Sequence, residues 1–198
     1  MHDNLKNIDD SRLARFASNG NRAAFDELAD RFTGKLLLFV SSKTNNYHDA
    51  EDIVQETMIK AYRNIEKFDS KSSFKTWIFT IAYRTLVSNT RKSKPVLMSE
   101  ESQRNLEITE QSHEDYGWVW QKARKLGEEA FLVLWLKYKQ EMSVSEIAKV
   151  MGKTNAATRV LLYRSRKKMA KKLYAEQEKR HNSFFRSDEG VSFERAKL

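Results

Sequence analysis

Only one proline and six glycines interrupt 198 residues, so long stretches of this chain hold nothing that breaks a helix. Within those stretches apolar residues recur at spacings of three and four. Phe25, Leu28, Phe32, Leu36 and Phe39 make one such stripe, and Val54, Met58, Ala61 and Ile65 make another. No alternating strand pattern and no internal repeat competes with them. The expected fold class is all-α.

End signals divide the helices. A short helix over residues 9–18 closes at Asn19-Gly20, and Asn21 can cap the next. Asp49, Glu51 and Asp52 crowd one first turn, where free backbone N–H groups favour negative charge. The polar loop DSKSS, residues 69–73, precedes a fourth helix that Ser73 can cap and that Pro95 stops. Two further helices are expected at 118–125 and 128–138. Ser143-Val144-Ser145-Glu146 then has the form of a capping box. The helix it opens ends near Gly152, and Thr154 or Asn155 caps a last helix to about residue 174. This arrangement predicts two small helical domains, 9–94 and 121–175, joined by a flexible linker over 95–120 and followed by a frayed tail over 176–198. The tail carries Phe184, Phe185 and Phe193.

Charge is distributed in blocks. The net charge is +9. Residues 147–175 carry nine Lys or Arg and no acid, whereas 95–117 carry six acids and one base. A solubilising surface does not need blocks, so the basic one points to a polyanion. Helix, turn with glycine, then a basic helix is the order of a helix-turn-helix. Arg159, Tyr163, Arg164, Arg166 and Lys167 fall within about two turns of that last helix, placed to meet phosphates and base edges. Thr158, Leu162, Ser165 and Met169 form its inward side, which forces either Val160 or Leu161 outward.

Several function classes drop out. No apolar run approaches the roughly 20 residues of a membrane span, and the polar start MHDNLKNIDD does not read as a signal peptide. With no cysteine there is no disulfide or thiol chemistry, which fits a cytoplasmic protein. The four histidines are scattered at 2, 48, 113 and 181. No metal or cofactor site and no catalytic motif is expected. The acidic run at 49–56 reads as a helix start or a protein-docking face.

The segment KSSFKTWIFTIAYR, residues 71–84, combines both themes. Phe74, Trp77, Ile78 and Ile81 follow helical spacing, so several belong to a core. Yet aromatics cover more than one face, with basic residues between them. Bases stack on aromatic rings regardless of sequence, and a flipped base needs such a platform beside a polar pocket.

DAEDIVQETMIKAYRNIEKF followed by SFKTWIFTIAYR resembles region 2 of the sigma-70 family of bacterial transcription initiation factors. LGEEAFLVLWLKYKQEMSVSEIAKVMG and the basic helix after it resemble region 4. With nothing else between them, the layout is similar to the small extracytoplasmic-function (ECF) class. The resemblance implies a promoter-specificity subunit, not an enzyme, that binds core RNA polymerase, recognises −35 and −10 elements and helps melt DNA. It places Asp49, Asp52, Gln55 and Glu56 on the β′ clamp helices of the polymerase, with the β flap as a second contact. It places Phe68, Ser70, Lys71, Ser72, Phe74, Trp77, Arg84 and Arg91 on −10 DNA, with residues 68–73 as the loop that captures a flipped base. Arg159, Tyr163, Arg164, Arg166 and Lys167 fall on −35 DNA. The linker would follow the RNA exit path, and an anti-sigma factor is an implied partner. The chain departs from the usual pattern at Arg84 (usually Asn), Ser88 (Asp), Gly127 (Pro), Ala156-Ala157 (Gly-Thr) and Val160-Leu161 (Ser-Arg).

Overall fold

The computed structural model describes residues 5–41, 44, 47–69, 71–90 and 117–188, with the stretch from 176 onward as backbone alone. Eight α-helices account for nearly all of it: α1 (Asp10–Ser18), α2 (Arg22–Ser41), α3 (Tyr47–Asn64), α4 (Phe74–Thr90), α5 (Gly117–Arg124), α6 (Glu128–Tyr138), α7 (Val144–Met151) and α8 (Asn155–Asp188). No strand occurs among the described residues. A short 3₁₀ turn, Ile65–Lys67, closes α3.

The helix starts follow the side chains that satisfy their free amides. Asp9 accepts from the Arg12 amide at 3.0 Å, and Asn21 accepts from Ala24 at 3.1 Å. Ser73 accepts from Thr76 at 3.2 Å, and Thr154 accepts from Ala157 at 3.1 Å. The capping box at Ser143 is complete, with both reciprocal bonds present. Gly34 does not interrupt α2, which runs unbroken for 20 residues.

Two boundaries differ from the sequence expectation. The last helix continues to Asp188, so the start of the tail expected to fray is helical. Residues 117–120, expected in the linker, form the first turn of α5, where Trp120 meets Phe131 edge-on at 6.3 Å. The remainder of the linker lies outside the described residues.

α1 to α4 bury Leu13, Leu28, Phe32, Phe39, Phe79 and Leu86 completely. Arg31 fixes the segment before α1 to this bundle. Its guanidinium donates to the Ile8 carbonyl at 2.7 Å and pairs with Asp10 and Glu27, both at 2.8 Å. α5 to α8 enclose Phe131, Leu132, Leu136 and Ile147, with Thr158, Leu162, Ser165 and Met169 facing in from α8 as their spacing predicts.

The two halves pack against each other. Trp135 of α6, 3% exposed, lies 5.7 Å from the Phe39 ring and 5.6 Å from the Phe79 ring. A single apolar core therefore runs through both halves, which the reading of two domains on a tether did not anticipate.

Candidate nucleic-acid and polymerase interface

Three surfaces gather the residues that the sequence singled out. The first is the outer face of α3. The helix buries Ala50, Ile53, Val54, Thr57 and Ala61 against α2 and α4. That leaves Asp49, Asp52 and Gln55 exposed and Glu56 half-buried on the opposite side. Glu56 is also held within the fold. It pairs with Lys60 at 2.7 Å and accepts from the Asn89 amide at 3.0 Å. Ile59 and Tyr62 continue the same face at 45% and 49% exposure. Their exposure follows from the same spacing that buries Val54 and Ala61, but the sequence reading assigned them no role.

The second surface joins the 68–73 loop to α4. Asp69 closes the loop by accepting from the Lys71 amide at 2.9 Å. Phe68, Phe74 and Trp77 form a ring cluster, with Trp77 5.4 Å from Phe68 and 5.6 Å from Phe74. Their roles divide by burial. Phe74 is 2% exposed and packs edge-on to Phe32, so the structure withdraws it from the expected DNA surface: enclosed on its other sides, its ring has no face to offer a base. Phe68 and Trp77 are half-buried and Lys71 is exposed. Along α4, Trp77, Ile81, Arg84 and Ser88 recur at four, three and four and share one solvent-facing stripe. Ser70 and Arg91 lie outside the described residues.

The third surface is the outward side of α8. Arg159, Tyr163, Arg164, Arg166 and Lys167 are all exposed, Tyr163 at 59%. They do not form one set. At 3.6 residues per turn, Val160, Tyr163, Arg164 and Lys167 lie opposite the buried stripe, with Arg159 on the same flank as Arg166. Arg166 sits at the flank, on the wall of an apolar groove of about 570 Å³ lined by Trp120, Leu134, Met169 and Leu173. Of the Val160-Leu161 pair, Val160 faces out at 49% exposure and Leu161 is half-buried.

Polar contacts between α4 and α7 tie the second surface to the helix-turn-helix. Glu146 Oε2 accepts from the backbone N–H and the hydroxyl of Ser143, at 2.9 and 2.8 Å. Its Oε1 accepts from Thr76 at 2.9 Å and from Ser73 at 3.1 Å. Burial pushes this carboxyl's pKa up, but the amide and hydroxyl of Ser143 and the hydroxyls of Thr76 and Ser73 outweigh it and hold the pKa at about 2. Beside them Lys75 Nζ donates to the Gln140 carbonyl at 2.7 Å. Farther along α4, burial raises the Tyr83 hydroxyl, and Glu129 raises it further.

Residues 28–95 match the family model Sigma-70 region 2, and residues 117–169 match Sigma-70, region 4. Together they cover well over half of the chain, in the order and on the helices just described. The chain belongs to the sigma-70 family, in its ECF class. It is similar to the ECF RNA polymerase sigma factor SigW of Bacillus subtilis (strain 168), with 27% identity over 78% of this chain and 91% of the relative. It also resembles the RNA polymerase sigma-H factor of Pseudomonas aeruginosa, with 26% identity over 83% and 93%. Among solved structures it resembles CnrH in its complex with the cytosolic domain of CnrY, at TM-score 0.62 and 25% identity over 84% of this chain and 97% of that one. The sigma factor RpoE of Bartonella quintana, solved with the anti-sigma factor NepR, shares the fold at TM-score 0.60 and 21% identity over 76% and 96%. As an ECF sigma factor the chain is a promoter-recognition subunit of RNA polymerase. Among the described residues no helix is long and apolar enough to cross a membrane.

Proposed function

We propose a division of labour along the chain. Residues 9–94 dock on core polymerase and engage the −10 element, residues 121–175 engage the −35 element and the β flap, and the linker follows the RNA exit path. Asp49, Asp52, Gln55 and Glu56 face the β′ clamp helices. The exposed acidic side of α3 supports this, because its apolar side is already used inside the bundle.

The 68–73 loop with Trp77 and Arg84 receives the non-template −10 strand and traps a flipped base. Phe74 backs the platform from below. Arg159, Tyr163, Arg164 and Lys167 enter the major groove of the −35 element with Arg166 as a phosphate contact, and Arg91 contacts −10 DNA. Melting then needs no hydrolysis: binding to extruded bases offsets their unstacking. On this reading the chain is not an enzyme and acts in the cytoplasm. An anti-sigma factor holds it inactive, as the partners bound to CnrH and RpoE in the related structures suggest.

The observation that carries this reading is the pairing, in one chain, of an outward acidic face on α3 with an outward basic face on α8. A competition pull-down with purified core polymerase tests the docking half. Asp52→Arg with Gln55→Ala should weaken polymerase binding at least tenfold while helix content stays unchanged. Undiminished binding would remove α3 as the docking face.

A further inference from the structure

Val160 occupies the middle of the outward face of α8. It is two residues from Thr158 and two from Leu162, both buried, and so points away from them. Around it on the same face stand Tyr163, Arg164 and Lys167, with Arg159 on the adjoining flank, all exposed. It lies in the second turn of the helix, and the N-terminal part of a recognition helix is what meets base edges. An isopropyl group at the centre of a polycationic surface gains nothing from solvent and cannot hold a phosphate. The one apolar feature that B-DNA displays in the major groove is the 5-methyl group of thymine. We infer that Val160 is a specificity-determining residue that reads a thymine methyl in the −35 element. Arg159, Arg164 and Lys167 hold the backbone and neighbouring base edges around it, and Ala156, exposed one turn earlier, leaves the groove floor open to it.

This inference rests on the proposed −35 role of α8, and its test separates the two. Duplexes are selected from a random pool by the full chain with core polymerase. Each conserved thymine of the upstream element is then replaced by deoxyuridine, which removes the methyl and leaves pairing intact. One replacement should weaken binding roughly four-fold, the size expected for one methyl taken out of apolar contact. In Val160→Ala the same replacement should have no effect, and selection should no longer favour thymine there. An upstream element without thymine, or a deoxyuridine effect equally large in Val160→Ala, would overturn it. Failure to select any upstream element would instead remove the −35 role of α8.

Discussion

The two oxygens of Glu146 serve different partners: Oε2 completes the capping box with Ser143, and Oε1 takes the hydroxyls of Ser73 and Thr76. The carboxylate form is therefore the one the fold favours, and its pKa is held at about 2. A depressed folded-state pKa contributes stability that is full above the unfolded value, about 4.3 for Glu. It is lost as pH falls from there towards 2. The unfolding midpoint should fall across that window, and Glu146→Gln should lower stability near neutral pH and flatten the fall. Parallel pH profiles for the two proteins would show that Glu146 does not contribute in this way. Trp77 makes the residue-scale prediction for function. Its half-buried ring borders the loop and shares the exposed stripe with Arg84, and base stacking on an aromatic ring is worth roughly 1–3 kcal/mol. Trp77→Ala should therefore reduce permanganate reactivity of the −10 thymines more than it reduces closed-complex formation. Equal losses in the two assays would make Trp77 only a packing residue.

At the scale of elements, α7 shows what local sequence can specify. Its start is the capping box, and its end is Gly152 at φ 63°, a left-handed conformation that costs a residue with a Cβ. A Cβ placed there meets no atom within 4 Å. Gly152→Ala should therefore cost about 1 kcal/mol from backbone conformation alone, read as a lower denaturation midpoint, with Gly152→Asn less affected. Equal stability of wild type and Gly152→Ala would mean the turn relaxes out of that conformation. The caps at Asn21, Ser73 and Thr154 and the stripes of α2 and α8 were legible for the same reason: each depends on residues three or four apart. The first turn of α3 was less so, because the acidic cluster at Asp49 marks a favourable charge position and not the first helical residue, Tyr47. The extension of α8 to Asp188 was hidden because its last turns carry no apolar stripe. Within the candidate site, spacing identified the outward set on α8, but could not choose between Val160 and Leu161. It also could not tell that Phe74 is enclosed by Phe32, a partner 42 positions away in the chain.

For the whole molecule, the feature that sequence reading left out is the seam. Thr76 and Glu146 stand 70 residues apart, and Phe39 and Trp135 stand 96 apart. Contacts of that separation leave no periodic trace, and each residue had a sufficient local explanation: Ser73 as a cap, Glu146 as a capping-box acid, Trp135 as a core aromatic. The family assignment depended on motif order and survived that omission, because both halves fold on their own local patterns. What the assembled molecule offers is an acidic docking face, an aromatic loop platform and a basic reading helix, held together in a closed arrangement. The most direct measurement of its role is run-off transcription with purified core polymerase on genomic fragments, with and without this protein. The account predicts new discrete transcripts that share two upstream elements and disappear with Asp52→Arg/Gln55→Ala. No new transcripts at saturating protein, with no co-elution with core polymerase, would contradict it.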